Sequence, residues 1–338
     1  MKIYRNCSLL PYNTFGVDGR CSALVEYDTE QELCDIMELV RNGELPLPLM
    51  QIGQGSNILF TRDFPGTLLH GRICGIQVLN SSDKEVWVKA GAGVVWDDFV
   101  SQCVENGWYG AENLSLIPGL TGSAAVQNIG AYGTEVKDII SSVRCLDIDD
   151  GVFKTFDINE CGYGYRDSLF KKRRSLTVTS VTFRLSTVKS FNLSYNALQQ
   201  AVLAQGADSL SQIREIVCSI RRSKLPDVST LGSAGSFFKN PLVERSFFES
   251  LKQKWPDIPG FGDASGNGPV KLSAGWLIEK CGWKGKSLGR AGVYQKQALV
   301  LVNLSGAPGE EIAALSRMVA DDVFEKFGVS LSPEVLIL

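Results

Sequence analysis

The glycine-rich segment at residues 53–57, Gly-Gln-Gly-Ser-Asn, restricts the fold of this 338-residue chain more than any other feature. Strand-like apolar runs flank it at residues 47–52 and 58–60, and no helix begins after it. The dinucleotide-binding fingerprint G-x-G-x-x-G opens a helix, and a P-loop has the pattern G-x-x-x-x-G-K-[ST]. Neither motif applies to this chain.

Two further glycine-rich loops follow, at residues 117–123 and 128–133. Glycine lets backbone N–H groups approach an anion closely, and serine and asparagine add short hydrogen-bond donors. Any one of these loops alone is typical of a plain turn. Three of them in a strand-rich half that lacks its own nucleophile favour a cofactor that carries a pyrophosphate.

Hydrophobic spacing predicts a chain that mixes helices and strands. Amphipathic patterns predict helices at residues 30–40, 96–106, 196–205, 209–223, 272–281 and 310–327. Apolar runs predict strands at residues 47–52, 58–60, 86–90, 143–148, 176–185 and 297–303. Residues 255–268 are predicted to be a surface loop, and a change of composition near residues 190–205 predicts a domain boundary.

Charge and hydropathy limit the partners that the chain can have. Its formal net charge is −3, so no overall field attracts nucleic acid or an anionic membrane. The basic run at residues 171–174 is interpreted as a solvated turn. Because no long apolar segment and no N-terminal apolar run are present, we expect no transmembrane helix, no signal peptide and a cytoplasmic location.

Cysteine and histidine usage excludes several kinds of site. The nine cysteines contain no C-x-x-C pair, which argues against a disulfide framework and a zinc site and favours reduced thiols. His70 is the only histidine, so a histidine-based triad and a multi-histidine metal site are excluded. We expect no bound metal, and we interpret His70 as structural.

Three segments far apart in sequence carry the candidate catalytic groups. They are residues 162–168 with Arg166, residues 235–241 with Ser236, and residues 332–335 with Glu334. A cation, a hydroxyl and a carboxylate can together polarise an acid substrate, donate a proton and stabilise an enol. Each has a structural alternative: an Arg166–Asp167 ion pair, a helix N-cap at Ser236, or an exposed carboxylate at Glu334.

The order of these motifs resembles the UDP-N-acetylenolpyruvoylglucosamine reductase family over essentially the whole chain. The matching segments are residues 13–16, 53–57, 117–133, 165–168, 224–226, 235–241, 274–278 and 333–335. The resemblance implies FAD, NADPH as electron donor, and reduction of the enolpyruvyl ether of UDP-N-acetylglucosamine to UDP-N-acetylmuramate in peptidoglycan synthesis. It also implies a monomer that acts on small molecules, with no nucleic-acid or membrane partner.

The resemblance further implies an α+β architecture with an FAD-binding region of the vanillyl-alcohol oxidase type at residues 1–195. This region would contain two subdomains, about 1–70 and 71–195. A substrate-binding domain would follow at residues 196–325, and residues 326–338 would form a C-terminal strand that carries Glu334.

Residue roles are implied by the same resemblance. A hydride from flavin N5 would reach the vinyl carbon while Arg166 holds the carboxylate side. Ser236 would donate the proton, and Glu334 would either assist it or orient the enol. The implied FAD-binding residues are Gly53, Gly55, Ser56, Asn57, Pro118, Gly119, Gly122, Ser123, Asn128, Ile129, Gly130 and Gly133.

The implied substrate-binding residues are Tyr165, Tyr195, Lys224, Asn240 and Gln297. Lys224 and Arg221 are placed to meet the UDP diphosphate, although the solvated end of a helix is an equal interpretation of Arg221. Tyr195 fits the mobile tyrosine loop of one family subtype, with a core tyrosine as the alternative.

Two other functions agree with parts of the sequence. One is a different flavin oxidoreductase with the same cofactor domain, such as an oxidase of alcohols or sugars. Such oxidases often bind flavin covalently through histidine or cysteine, and the only histidine, His70, lies outside the three loops, which disfavours this function. The other is a non-catalytic sugar-nucleotide sensor, which the joint presence of Arg166, Ser236 and Glu334 disfavours.

Overall fold

The computed structural model describes residues 1–262 and 268–338. The strands are β1 (Lys2–Ser8), β2 (Arg20–Tyr27), β3 (Leu49–Ile52), β4 (Ile58–Leu59), β5 (Phe64–Gly71), β6 (Ile76–Ser81), β7 (Glu85–Gly91), β8 (Gly130–Ala131), β9 (Thr134–Glu135), β10 (Ile140–Asp147), β11 (Val152–Asp157), β12 (Leu176–Ser186), β13 (Gly232–Ser236), β14 (Leu242–Val243), β15 (Gly260–Phe261), β16 (Val270–Leu272), β17 (Ser287–Leu288), β18 (Ala291–Val293), β19 (Val300–Asn303) and β20 (Leu336–Ile337).

The helices are α1 (Glu30–Arg41), α2 (Trp96–Glu105), α3 (Thr121–Gln127), α4 (Leu169–Lys172), α5 (Asn196–Gln205), α6 (Leu210–Lys224), α7 (Arg245–Lys254), α8 (Ala274–Lys280) and α9 (Gly309–Phe327). The predicted α+β class is confirmed. Among the described residues, no helix has the length and apolar character that crossing a membrane requires.

The chain forms two compact units, and each is assembled from separated segments. The first contains Met1–Cys7, Cys21–Gln54 and Phe64–Arg222, and the second contains Ser8–Arg20, Gly55–Asp63 and Ser223–Leu338. The first unit therefore extends beyond the composition change near residues 190–205, because α5 and α6 share one apolar cluster with Tyr132 and Phe191. The functional domains predicted at 1–195, 196–325 and 326–338 stay a prediction.

The first unit contains two principal sheets. One has the strand order β1-β2-β5-β3, with β5 parallel to both β2 and β3. The other has the order β11-β10-β12-β7-β6, with antiparallel pairs throughout. Strand β12 is central and reads as a nearly continuous buried run, as expected for a strand covered on both faces.

Helix α1 shows how local sequence signals and packing agree in this unit. The Thr29 hydroxyl caps its start by accepting a hydrogen bond from the Glu32 N–H at 3.1 Å. Its buried residues are Leu33, Ile36 and Met37, which belong to the core under the parallel sheet. This amphipathic face is the one that the spacing predicted.

The second unit has a four-stranded sheet, β13-β19-β18-β17, and a three-stranded sheet, β14-β16-β15. Strands β20 and β4 form a short parallel pair. Phe15 and Val17, from the segment Ser8–Arg20, enter the same core as the buried face of α9. Ile312, Leu315, Val319, Val323 and Phe327 form that face, as predicted.

Several predicted element limits were wrong. The strand predicted at 47–52 begins at Leu49, since the preceding Pro48 has no N–H to give to a ladder. The helix predicted at 272–281 begins at Ala274, because the Ser273 hydroxyl caps it and Leu272 belongs to β16. The strand predicted at 297–303 begins at Val300, after a turn in which the Val300 N–H donates to the Gln297 carbonyl at 3.1 Å.

The basic run and the predicted loop at 255–268 also differ from expectation. Lys171 and Lys172 end helix α4, and Lys172 pairs with Asp167 at 2.6 Å while Arg173 pairs with buried Asp147 at 2.5 Å. Within the predicted loop, Gly260–Phe261 is strand β15, since it pairs with β16. Residues 263–267 of that loop lie outside the described residues.

We predict that Gly309→Ala destabilises the second unit by about 1–3 kcal/mol, the usual cost of overpacking. A Cβ at this position would lie 2.7 Å from the Phe60 carbonyl carbon and 2.9 Å from the Thr61 Cα. Helix propensity alone predicts the opposite sign, because alanine favours a helix over glycine by about 1 kcal/mol. Urea unfolding followed by circular dichroism measures the difference.

Gly19→Ala is the matched control, because its Cβ would meet its nearest neighbours, Asp63 and Leu9, at an ordinary 3.8 Å. A midpoint for Gly309→Ala equal to or above that of the wild type would contradict the steric argument.

Candidate functional site

The first two residues of the first glycine-rich loop, Gly53 and Gln54, lie beside the second loop in the first unit. The Gly119 N–H donates to Gln54 Oε1 at 2.9 Å. A Cβ on Gly53 would lie 3.4 Å from Ser123 Oγ. The Ser123 hydroxyl accepts from the Leu120 N–H at 2.9 Å and thereby caps the turn into α3. Residues 53–54 and 119–123 therefore form one continuous backbone surface.

Helix α3 leads from the second loop directly into the third. It ends at Asn128, whose backbone is left-handed with φ of 45°. The Asn128 amide nitrogen donates to the Gly164 carbonyl at 2.8 Å, and its amide oxygen accepts from the Lys137 N–H at 3.2 Å. Gly130 then pairs with Glu135 in the β8–β9 hairpin. Asn128 thus joins the third loop to the segment that carries Arg166.

Arg166 occupies the corner of a tight turn beside the third loop. The Gly164 and Asp167 backbones exchange hydrogen bonds of 3.0 and 3.1 Å, and Arg166 has a left-handed φ of 53°. Its guanidinium donates to the Gly130 carbonyl at 2.7 Å and lies 5.4 Å from the centre of the Tyr165 ring. Asp167 pairs with Lys172 at 2.6 Å, and the Arg166 guanidinium lies 3.6 Å from Glu135 Oε1.

Arg221 is a half-buried cation next to the second and third loops. Its Nε donates to the Leu116 carbonyl at 3.2 Å. Burial lowers the pKa of the Arg221 guanidinium and raises the pKa of the neighbouring Tyr132 phenol. Arg221 lies in the last turn of α6, and its side chain is partly covered and bonded to the Leu116 carbonyl.

Tyr195 packs against the third loop from the segment before α5. Its ring meets Tyr132 edge to face, with centroids 5.3 Å apart, and the residue is 42% exposed. The neighbouring Asn192 amide donates to the Gly133 carbonyl at 2.9 Å. The core interpretation of Tyr195 is wrong for the conformation described here, since its ring is partly open to solvent.

The second unit brings Ser236 and Glu334 onto neighbouring backbone. Ser236 ends strand β13, opposite Val300 of β19, so the helix N-cap interpretation is wrong. The next residue, Phe237, accepts hydrogen bonds from the Glu334 N–H at 2.8 Å and the Val335 N–H at 3.5 Å. Phe237 itself is fully buried. The two predicted catalytic residues are therefore fixed through one buried residue.

The end of the first glycine-rich loop contacts the same C-terminal segment. The Asn57 amide donates to the Glu334 carbonyl at 3.2 Å, and the Leu336 N–H donates to the Asn57 carbonyl at 3.0 Å. Gly55 has φ of 62°, and a Cβ there would lie 2.7 Å from the Asn13 Cα. Glycine is therefore required at residue 55 for both conformation and space.

Asn240 and Gln297 both face the start of helix α8. The Asn240 amide oxygen accepts from the Ala274 N–H at 3.0 Å. Gln297 Oε1 accepts from the Leu299 N–H at 3.4 Å, and a Cβ on Gly275 would lie 3.2 Å from that oxygen. Lys224 is the last residue of α6. A role of Asn240 and Gln297 in substrate binding stays a prediction.

Sequence reasoning missed three residues that shape the site. Gln54 lies inside a predicted motif, but its link to Gly119 joins two loops far apart in sequence. Tyr132 also lies inside a predicted loop. Glu135 follows that loop and contacts Arg166 and Asn128, at 3.6 and 3.1 Å respectively. The contacts of these three residues leave no pattern in the local sequence, so only the fold identifies them.

Known proteins match both halves of the chain. A model of the FAD binding domain family matches residues 21–157. A second model, described as UDP-N-acetylenolpyruvoylglucosamine reductase, C-terminal domain, matches residues 227–338.

Curated relatives extend the similarity to nearly the whole chain. A UDP-N-acetylenolpyruvoylglucosamine reductase from Bacteroides fragilis is 48% identical over 330 residues, covering 97% of this chain and 98% of the relative. One from Pseudomonas aeruginosa is 44% identical over 337 residues, covering 99% and 98%. The solved reductase from Thermus caldophilus is 25% identical with a TM-score of 0.68, covering 100% of this chain and 99% of that one.

The glycine geometry of the first unit fits FAD. A Cβ on Gly122 would lie 2.7 Å from the Ala92 Cβ, and one on Gly130 would lie 2.8 Å from Arg166 Nη1. Backbone without side chains leaves N–H groups close to an incoming pyrophosphate. We infer that residues 53–54, 118–123 and 128–133 would hold the cofactor largely through backbone contacts.

We predict that Gln54→Ala weakens FAD binding by roughly 2- to 12-fold, which corresponds to one net hydrogen bond of about 0.5–1.5 kcal/mol. The substitution removes the acceptor of the Gly119 N–H and loosens the second loop against the first. Titration of apoprotein with FAD, followed by flavin fluorescence, measures the dissociation constant. The control is Gln102→Ala, at an exposed position of α2. Equal affinities of the two variants would refute the coupling of these loops.

Proposed function

Because the chain belongs to the UDP-N-acetylenolpyruvoylglucosamine reductase family, we propose that it reduces the enolpyruvyl ether of UDP-N-acetylglucosamine to UDP-N-acetylmuramate, using NADPH. The family predicted from the motifs is confirmed, and the protein is an FAD-dependent oxidoreductase. FAD, when bound, would supply the two-electron hydride chemistry between NADPH and the terminal vinyl carbon of the substrate. The chain's own side chains bind the substrate, stabilise charge and deliver a proton.

The observation that carries this proposal is the backbone pairing around Phe237. Its carbonyl accepts from the Glu334 N–H at 2.8 Å, so a hydroxyl at residue 236 and a carboxylate at residue 334 are held on adjacent rigid segments. Addition of a hydride to the vinyl carbon requires a proton at the neighbouring carbon. We assign that proton to the Ser236 hydroxyl.

Glu334 is assigned to the same proton transfer. A serine hydroxyl is a weak acid, so its proton must be replaced once it has been delivered. A carboxylate anchored beside it either supplies that proton or orients the enol. Both roles agree with the shared attachment of Ser236 and Glu334 to Phe237.

Arg166 is assigned to the charge that develops on the carboxyl side of the substrate. Hydride addition builds an enolate there, and a planar guanidinium matches a carboxylate through two hydrogen bonds. Fixed donors directed at developing charge contribute several kcal/mol at such sites. The hydrogen bond from Arg166 to the Gly130 carbonyl supports a fixed guanidinium beside the FAD loops.

The remaining predicted residues receive binding roles. We assign Lys224 to the UDP diphosphate, and Asn240, Gln297, Tyr165 and Tyr195 to the rest of the substrate. Arg221 is reassigned from the diphosphate to the support of the FAD loops. Its burial and its bond to the Leu116 carbonyl favour that role.

The wider setting follows from the substrate. UDP-N-acetylmuramate is a precursor of peptidoglycan, so the reaction belongs to bacterial cell-wall synthesis. Both substrates are small and soluble, and no step of the proposed mechanism calls on a macromolecular partner. We therefore propose a monomeric, cytoplasmic enzyme.

We predict that the purified protein is yellow, that NADPH bleaches its flavin, and that the enolpyruvyl substrate restores the colour. Stopped-flow absorbance under anaerobic conditions measures each half-reaction. UDP-N-acetylglucosamine, which lacks the enolpyruvyl group, is the control and is expected to leave the flavin reduced. Bleaching that the enolpyruvyl substrate fails to reverse would overturn the proposed function.

We predict that Ser236→Ala leaves flavin reduction by NADPH unchanged and slows reoxidation by the substrate at least about 100-fold, the lower range for a general acid. Ser233→Ala, in the same strand β13, is the control and is expected to retain both half-reactions. Equal loss of both half-reactions in Ser236→Ala would show that the hydroxyl is structural.

A further inference from the structure

The backbone at Arg166 adopts a conformation that the residue does not favour by itself. Its φ of 53° is left-handed, a region where glycine and asparagine are common and arginine is rare. The two hydrogen bonds between Gly164 and Asp167 close a turn that forces this φ on the corner residue. Such strain persists only where surrounding contacts hold it.

Three acceptors hold the far end of the Arg166 side chain. Nη2 donates to the Gly130 carbonyl at 2.7 Å, Nη1 donates to the Asn128 carbonyl at 3.4 Å, and Nη1 lies 3.6 Å from Glu135 Oε1. The side chains of Arg166 and Glu135 are only 17% and 24% exposed, so solvent screens their attraction less than it would at the surface. Of these acceptors, Glu135 carries the formal negative charge.

Glu135 also contacts Asn128, the residue whose side chain holds the turn at Gly164. Its Oε2 accepts from the Asn128 amide at 3.1 Å, and the same amide donates to the Gly164 carbonyl. Glu135 pairs across the β8–β9 hairpin with Gly130, whose carbonyl accepts the 2.7 Å hydrogen bond from Arg166. The Glu135 carboxylate therefore contacts the Arg166 guanidinium with one oxygen. Its other oxygen contacts the Asn128 amide, which holds the turn through the Gly164 carbonyl.

We propose that Glu135 is a positioning residue for the reductase reaction and acts through Arg166. It fixes the guanidinium against the third glycine-rich loop, in the position from which Arg166 would meet the substrate carboxylate. Lys137 Nζ lies 3.5 Å from Glu135 Oε2 and 3.1 Å from Asp138 Oδ1, so it partly balances the charge of Glu135. The inference rests on the role proposed above for Arg166.

The test separates the two half-reactions in Glu135→Ala and Glu135→Gln. We expect reoxidation of the reduced enzyme by substrate to slow by roughly 10- to 100-fold in Glu135→Ala, the scale of a misplaced catalytic group. We expect the loss in kcat rather than in KM, with flavin reduction by NADPH unchanged. Glu135→Gln keeps an oxygen acceptor for Asn128, so its loss is expected to be smaller.

The matched control is Glu85→Gln, which removes another carboxylate–arginine contact of the first unit, to Arg184 at 2.8 Å. It is expected to behave as wild type. Thermal unfolding shows whether each variant is folded. Wild-type reoxidation in a folded Glu135→Ala, or equal loss of both half-reactions in Glu135→Gln, would overturn the proposal.

A double-mutant cycle with Arg166→Ala tests whether Glu135 acts through Arg166. If it does, Glu135→Ala adds little further loss in the Arg166→Ala background. A full, additive loss there would mean that Glu135 acts independently. The two proposals are contradicted by different results. If Arg166→Ala is reoxidised by the substrate at the wild-type rate, the role of Arg166 is overturned. If reoxidation is slow in Arg166→Ala but unaffected in Glu135→Ala, only the positioning role of Glu135 is overturned.

Discussion

The pairing of residues 237–239 with residues 332–335 is the constraint on which the proposed catalytic part of the second unit depends. The Glu334 N–H and the Val335 N–H both donate to Phe237, and the Lys239 N–H donates to the Ser332 carbonyl at 2.9 Å. Since a buried backbone group without a partner is costly, these hydrogen bonds define the register. The backbone positions of Ser236 and Glu334 are fixed without a direct contact between their side chains, because Glu334 takes part in the pairing and Ser236 directly precedes Phe237.

In the first unit, side-chain hydrogen bonds rather than backbone pairing hold the segments together. Asn128 ends α3 in a left-handed conformation and uses its amide to hold the Gly164 carbonyl. The third glycine-rich loop and Arg166 are thereby parts of one hydrogen-bonded network, which includes Gly130 and Glu135. A shift of the third loop would therefore move the guanidinium as well, so the proposed cofactor contacts and the proposed substrate contact would be coupled in this unit.

The sequence was sufficient for the elements and motifs with strong local signals. The amphipathic faces of α1 and α9 follow from spacing alone. The contact between Arg166 and Glu135 could not be predicted, because the two residues are about 30 positions apart and the adjacent Asp167 is the obvious counter-ion in sequence. Glu135 sits in a two-residue strand that is too short for a periodic pattern. The register that joins residues 237 and 334 involves segments almost 100 residues apart, which no local rule specifies.

The discontinuous make-up of the second unit has a consequence for biosynthesis. Strand β4 leaves the ribosome early, yet its parallel partner β20 lies at residues 336–337, and the Leu338 carbonyl accepts from the Thr61 N–H at 2.7 Å. Phe15 and Val17, in the segment Ser8–Arg20, likewise pack in a core that is complete only when α9 is present. During translation these apolar residues are without their native partners until the last part of the chain emerges, so the nascent polypeptide passes through a long interval in which chaperones have a binding target.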